Sequence, residues 1–179
     1  MLFRSSFNAY FAGLDMAEIL AELHLDVEAL TAAIVYRSVR EGRIDESQIR
    51  EQFGEMVAHL VNGVRRMAAI TNISNRSKES VFGKDSEVQA EKLRKLLIAI
   101  VDDVRIALIK LVERTCAIRA VKNSDKDRRQ KVAREVSDIY APLAHRLGIG
   151  HIKWELEDLA FRYLQPFDYK YIAKLLDEK

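Results

Sequence analysis

Of the side chains in this sequence that could do chemistry, the four histidines are poorly placed for it. His24, His59, His145 and His151 include no pair three or four residues apart, the spacing that sets two imidazoles on one helix face for a metal. His145 and His151 lie six apart across a glycine corner, and each of the four reads as a surface or interface residue. The single cysteine, Cys116, excludes an internal disulfide and a cysteine-cluster zinc site, and reads as a small buried apolar group. Asp102/Asp103 and Glu157/Asp158 look like helix-start or surface carboxylates, because negative charge is favoured at a helix N-terminus. There is no glycine-rich phosphate loop and no Gly-x-Ser-x-Gly. Spacing alone finds no active site.

Two features remain. Glu113 follows the apolar pair Leu111 and Val112 and precedes Thr115, which puts a carboxylate at the edge of a core stripe, where a charge is either paired or useful. The run Arg119, Lys122, Lys126, Arg128, Arg129, Lys131 and Arg134 is the one local charge excess, diluted only by Asp125 and Asp127. It has no interleaved aromatics for stacking on bases. A solvated helix face or an interdomain contact is its first reading, and a phosphate-backbone site its second.

The elements that must position these residues read as helices throughout. Two prolines, seven glycines and almost no β-branched alternation point to an all-α chain. Phe3, Phe7, Tyr10, Phe11, Leu14 and Ala17 to Leu20 give a first helix ending near His24. Asp26 caps a second, with Leu30, Ala33, Ile34 and Ser38 on its inner face and Gly42 closing it. A short helix, Glu46 to Phe53, stops at Gly54 before a longer one with Val57, Leu60, Val61, Val64 and Ala68 inward. Thr71 to Ser86 is polar and aperiodic and reads as a loop, functional or plain connector. Periodicity resumes near Val88. Asp102 to Arg119 is a core helix, with Val104, Ala107, Leu108, Leu111, Val112 and Thr115 in phase, continued backward by Leu93, Leu96, Leu97, Ile100 and Val101. After a turn at Asn123 to Asp127, a helix carries Val132, Val136 and Ile139, and Pro142 kinks or restarts it. Gly148 and Gly150 flank a corner before Ile152 to Leu164, and Pro166 separates off an amphipathic piece, Tyr169 to Leu176.

At 179 residues and 49% apolar content the chain suits one core. The net charge of +2 gives no general case for nucleic-acid binding. No stretch approaches the roughly 18 apolar residues of a membrane span, and no cleavable signal is evident, so a cytoplasmic protein is expected without membrane contact. Both ends lie inside helical pattern, as expected of a piece of a longer protein.

Several stretches together resemble the N-terminal region of the long RelA/SpoT homologues, enzymes that make and break the guanosine alarmone (p)ppGpp. They are IYAPLAHRLGIGHIKWELEDLAFRYL (Ile139 to Leu164), FGEMVAHLVNGVRRM (Phe53 to Met67), LLIAIVDDVRIALIKLVERT (Leu96 to Thr115) and ILAELHLDVEALTAAIV (Ile19 to Val35). GHIKWELEDL and ERTCAIRAVKN look closest to the RelA branch of gamma-proteobacteria. The resemblance implies a multi-helix, HD-domain-like bundle over residues 1–138. Connecting helices would occupy 139–179 and lead toward a synthetase domain beyond the chain.

In that family the region holds manganese and removes the 3′ pyrophosphate of the alarmone, while the synthetase uses magnesium. Carried over, the early histidine falls at about Ala12 and the histidine-aspartate pair on Tyr36 and Arg37. The glutamate-aspartate pair becomes Arg40 and Glu41, the later metal-binding aspartate Glu113, and the nucleotide-contacting asparagine Ala117. Manganese wants imidazole and carboxylate ligands, and of the four expected ligand positions, Ala12, Tyr36, Arg37 and Glu113, only Glu113 serves. A guanidinium about 4 Å from a divalent ion costs roughly 8 kcal/mol at an effective dielectric near 20. Without a metal there is no activated water, so no cofactor and no hydrolysis are expected. Because the aspartates at Arg37 and Glu113 would have shared one ion, an Arg37–Glu113 pair is expected to replace it as a clamp.

The expected function is a catalytically inactive, regulatory hydrolase-like domain of a GTP pyrophosphokinase of the stringent response. An active manganese-dependent hydrolase, or an RNA or ribosome contact through Arg119 to Arg134, are the alternatives. The partners implied are the protein's own synthetase and C-terminal domains and, through the latter, the ribosome and uncharged tRNA. A homodimer stays open.

Overall fold

The computed structural model describes residues 2–78, 94, 98 and 103–177, the side chains of 2–9 and 70–78 excepted. Every regular element among them is a helix, as the composition implies. The order is α1 (Leu2–Glu22), α2 (Val27–Arg40), α3 (Glu46–Phe53), α4 (Glu55–Lys78), α5 (Val104–Ala120), a 3-10 turn (Val121–Asn123), α6 (Lys126–Glu135), a π turn (Val136–Tyr140), α7 (Ala141–Arg146), α8 (Gly150–Leu164) and α9 (Pro166–Asp177). The chain divides into two compact units. The first is Met1–Phe82 with Lys95–Cys116, the second Gly83–Arg94 with Ala117–Lys179. The boundary expected at 138/139 lies within the π turn Val136–Tyr140.

Local chemistry sets most of the helix ends. After α1 the chain turns at His24, whose φ of 59° is the left-handed conformation of a helix stop, with Leu25 N donating to Leu20 O at 3.1 Å. Asp26 then caps α2, its carboxylate accepting from Ala29 N at 3.0 Å. Gly42, at φ 70°, reverses the chain after α2, and Arg43 N reaches back to Ser38 O at 2.9 Å. Asp45 and Gln48 form a reciprocal capping box at the start of α3.

In the first unit α2 packs against both α1 and α4. Contact on two sides moves its buried set away from the expected face. Ala29, Ala32, Ala33, Val35, Tyr36 and Val39 are inside, while Leu30 and Ile34 are half-buried. α1 and α2 touch backbone to backbone, since a Cβ at Gly13 would meet Ile34 O at 2.7 Å and Ile34 Cα at 2.9 Å. Tyr10 and Phe11, part of the apolar pattern that marks α1, are exposed. α4 buries Val57, Leu60, Val61 and Val64 as expected, and Gly63 lets Ile106 of α5 come close.

The loop expected from Thr71 begins too early, because α4 continues to Lys78. Arg and Lys are good helix formers and Asn, Ser and Thr cost at most about 0.7 kcal/mol each, so lost amphipathicity did not end the helix. Residues 79–86 of that expected loop, and the backward extension through Leu93 to Val101, lie outside the described residues.

In the second unit α6, the π turn, α7 and α8 pack together around Ala133, Val136, Ile139, Tyr140, Leu143, Ile152 and Leu156. Pro142 has no N–H to give Asp138 O, so an unbroken α-helix would leave that carbonyl without its usual donor. The widened π turn carries the chain through, and Arg94 donates to Asp138 O at 2.5 Å. The last helix starts with Pro166 at its first position and buries none of its residues.

Candidate functional site

The residues at issue sit on α2 and α5, both in the first unit up to Cys116. α5 is apolar nearly all round, with Ile106, Ala107, Ile109, Leu111 and Val112 buried, whereas Val104, expected inside, is exposed. Polar side chains on such a helix have to be bonded. Thr115 Oγ1 donates to Leu111 O at 3.0 Å. Glu113 is 8% exposed and Lys110 only 3%. They lie one turn apart, with Lys110 Nζ 2.7 Å from Glu113 Oε2. Arg114 donates from Nε to the same oxygen at 2.8 Å and from Nη2 to Oε1.

A third cation comes from α2. Arg40 Nη1 stands 3.1 Å from Glu113 Oε1, across a separation of 73 residues in sequence. The position follows from what α2 must bury: Tyr36 is inside, and Arg40, four residues on, shares its face. Arg37 lies about 100° round the helix. It bonds Glu41 instead, Nε to Oε1 at 3.2 Å, and Glu41 Oε2 takes Arg43 at 3.0 Å. The expected Arg37–Glu113 clamp is therefore corrected to Arg40–Glu113, with Lys110 and Arg114 completing it.

The charges agree with this geometry. Burial pushes the Glu113 carboxyl up, but Lys110 and then Arg114 pull it down further, to about 2. Tyr36 is raised to about 12, first by burial and then by the Glu113 charge, against the opposing pull of Arg40, Arg114 and Arg65. Its phenol stays neutral at physiological pH. Tyr36, Arg40 and Glu113 are thus brought together, while Arg37 and Glu41 form a separate surface pair. Ala12 and Ala117 are half-buried and offer no donor.

Lys110 and Arg114 were not singled out from the sequence, although two basic residues within four of Glu113, in so apolar a helix, were the available signal. These side chains do not suit manganese. Both Glu113 oxygens are claimed by cations, and the neighbours are a neutral phenol and three positive groups, the opposite of a hard-cation donor set. Among the described residues no three His, Cys, Asp or Glu side chains are grouped to hold a metal ion.

A second charged network ties the starts of α2 and α5. Asp103 accepts from Arg105 N at 2.9 Å and holds its guanidinium, which reaches Asp26 Oδ2 at 2.5 Å. The Arg105 hydrogen bond holds the Asp103 carboxyl below its usual range, although burial opposes it. Asp103 is thus a helix-start carboxylate as expected, and Asp102 lies outside the described residues.

Of the basic run, Arg119 is engaged with Glu155 at 2.5 and 2.7 Å, and Arg129 donates to Lys122 O at 3.2 Å. Lys122, Lys126, Arg128, Lys131 and Arg134 are exposed. No described helix is long and apolar enough to cross a membrane.

An HD domain family model matches residues 5–150. The GTP pyrophosphokinase of Escherichia coli (strain K12) is 46% identical over 167 residues, which are 93% of this chain and 22% of that protein. The guanosine-3′,5′-bis(diphosphate) 3′-pyrophosphohydrolase of Haemophilus influenzae is 40% identical over 176 residues, 98% of this chain and 24% of that protein. The GTP pyrophosphokinase of Myxococcus xanthus is 37% identical over 166 residues, 93% and 21% respectively. The chain spans about a quarter or less of the length of these curated relatives.

Proposed function

The chain belongs to the HD domain family, and from that premise we propose that it is a non-hydrolysing regulatory domain of a GTP pyrophosphokinase, the enzyme that transfers pyrophosphate from ATP to GTP or GDP. The observation that carries this reading is the state of Glu113. It is the one carboxylate at the carried-over metal positions to lie in the core, and Lys110, Arg114 and Arg40 occupy it. A divalent ion there would have to displace three cations and then sit among them. At 4 Å and an effective dielectric near 20, each would repel it by about 8 kcal/mol. The same contacts supply what a metal supplies structurally, a cross-link between α2 and α5.

On this reading the domain acts on synthesis rather than on breakdown. The α9 face of Phe167, Tyr171, Leu175 and Leu176, exposed in the chain itself, is the lever into the synthetase. The synthetase and C-terminal domains are its partners, and the ribosome and uncharged tRNA act through the latter. The test is incubation of the chain with ppGpp and manganese at neutral pH. No release of pyrophosphate above a protein-free control is expected, and metal-dependent turnover would overturn the reading. In the full-length enzyme, deletion of the region should change basal synthesis.

The 40% identity to a protein named as a pyrophosphohydrolase favours a second reading, an active hydrolase with a nonstandard site. The same incubation discriminates. Turnover abolished by Glu113→Gln would place the reaction at this cluster.

A further inference from the structure

The exposed face that begins at the 3-10 turn and runs along α6 is cationic and is not neutralised by the described residues. Between residues 122 and 134 there are six cations and two carboxylates. Asp125 is committed to its own helix, accepting from Arg128 N at 2.8 Å as the N-cap. Arg129 is turned back onto Lys122 O. Among the described residues, Lys122, Lys126, Arg128, Lys131 and Arg134 make no ion pair, whereas Arg119, at the near end of the same run, is held by Glu155. Lys131 and Arg134 are three residues apart and so adjacent on the helix surface, with Arg128 one turn before Lys131.

We infer that this face is a binding surface for the phosphodiester backbone of a nucleic-acid duplex, held by charge and without base readout. The face carries no exposed large apolar residue between Val121 and Glu135. That is unlike a protein interface, which centres on aromatic or aliphatic anchors. It also lacks the apolar wedge that buries an interfacial helix in a lipid surface. What is left is point charge on a rigid helix of ten residues, about 15 Å long. A duplex presents about one negative charge per 1.7 Å of axis, so it matches such a rod along its whole length. The absence of aromatics leaves nothing to stack on bases, and contacts to phosphate alone position without specifying sequence.

The experiment is fluorescence anisotropy with the whole chain and an end-labelled 20-base-pair DNA duplex over a salt series. With four of these cations engaged, the slope of log K against log salt should be about −3.6, so that raising salt from 50 to 200 mM weakens binding about 150-fold. Replacing Lys122, Arg128, Lys131 and Arg134 together by Gln should abolish most of the slope, with the circular-dichroism spectrum unchanged. The single variant Lys131→Gln should lower the slope by about one. Arg50→Gln, which changes a surface cation already paired with Glu46 and Glu55, should leave it unaltered. Failure of the wild-type chain to bind at 50 mM salt would overturn the inference. So would a quadruple variant with wild-type affinity, or displacement of the DNA by poly-L-glutamate at equal charge, which would make the face a general acidic-protein contact.

Discussion

Glu113→Gln removes one negative charge and keeps the side-chain volume, which makes it the sharpest probe of the three-cation cluster. Lys110 and Glu113 are both nearly fully buried, and Lys110, Arg114 and Arg40 all bond this carboxylate. Its carboxyl falls from 4.5 to about 2, which at about 1.4 kcal/mol per unit corresponds to about 3 kcal/mol of stabilisation of the charged form. Breaking a buried pair by deleting one partner costs about 3–5 kcal/mol. The two routes agree, and for a chain of this size such a loss should lower Tm by about 10 °C.

Because the folded pKa lies below the unfolded one, this contribution is present above pH 4.5 and is lost as pH falls from 4.5 toward 2. Urea unfolding of wild type and variant at pH 7 and at pH 3 reads both effects. The difference between them should shrink by about 2 kcal/mol at the lower pH, since wild-type Glu113 then contributes only from pH 3 down to 2. A difference below about 1 kcal/mol at pH 7, or one that does not change with pH, would refute the assignment of Glu113 as the charged hub.

Further substitutions separate the parts of the argument. Arg40→Ala should cost about 1 kcal/mol, because its side chain is 48% exposed, and Arg37→Ala less than about 0.5 kcal/mol; chemical denaturation ranks them, and the reverse order would restore Arg37 as the clamp. Gly13→Ala should destabilise by about 3 kcal/mol and more than Gly63→Ala, since the new Cβ meets the Ile34 backbone in the first case and the movable end of Ile106 in the second; paired thermal melts test the order. Asp26→Ala loses both the α2 cap and the Arg105 pair and should cost about 1–2 kcal/mol, measured by urea midpoint. Raising pH from 10 to 12 should progressively destabilise the chain through Tyr36, whose pKa is raised by folding, and Tyr36→Phe should lose that alkaline dependence.

Much of the fold could be read along the chain because helix ends are local events. Asp26 at a cap, Gly42 and Gly148 at positive φ, and Pro166 at a first helical position each act within one turn, so their meaning does not depend on distant residues. The faces were read less well. α2 packs on two sides, and α5 is buried almost all round, so a single apolar stripe described neither. The end of α4 was missed for a related reason: polar residues stop a helix from burying a face without stopping it from being a helix.

The cluster divides in the same way. The sequence by itself marked Glu113 as a carboxylate at the edge of a core stripe, either paired or useful, and the family resemblance pointed to Arg37, near the end of α2, as its partner. Which arginine reaches it was decided only in three dimensions. Periodicity fixes the phase within one helix, but the register between α2 and α5 depends on packing across 73 residues of chain. Once Tyr36 and Val39 are buried, that register turns Arg40 toward Glu113 and leaves Arg37 on the surface with Glu41.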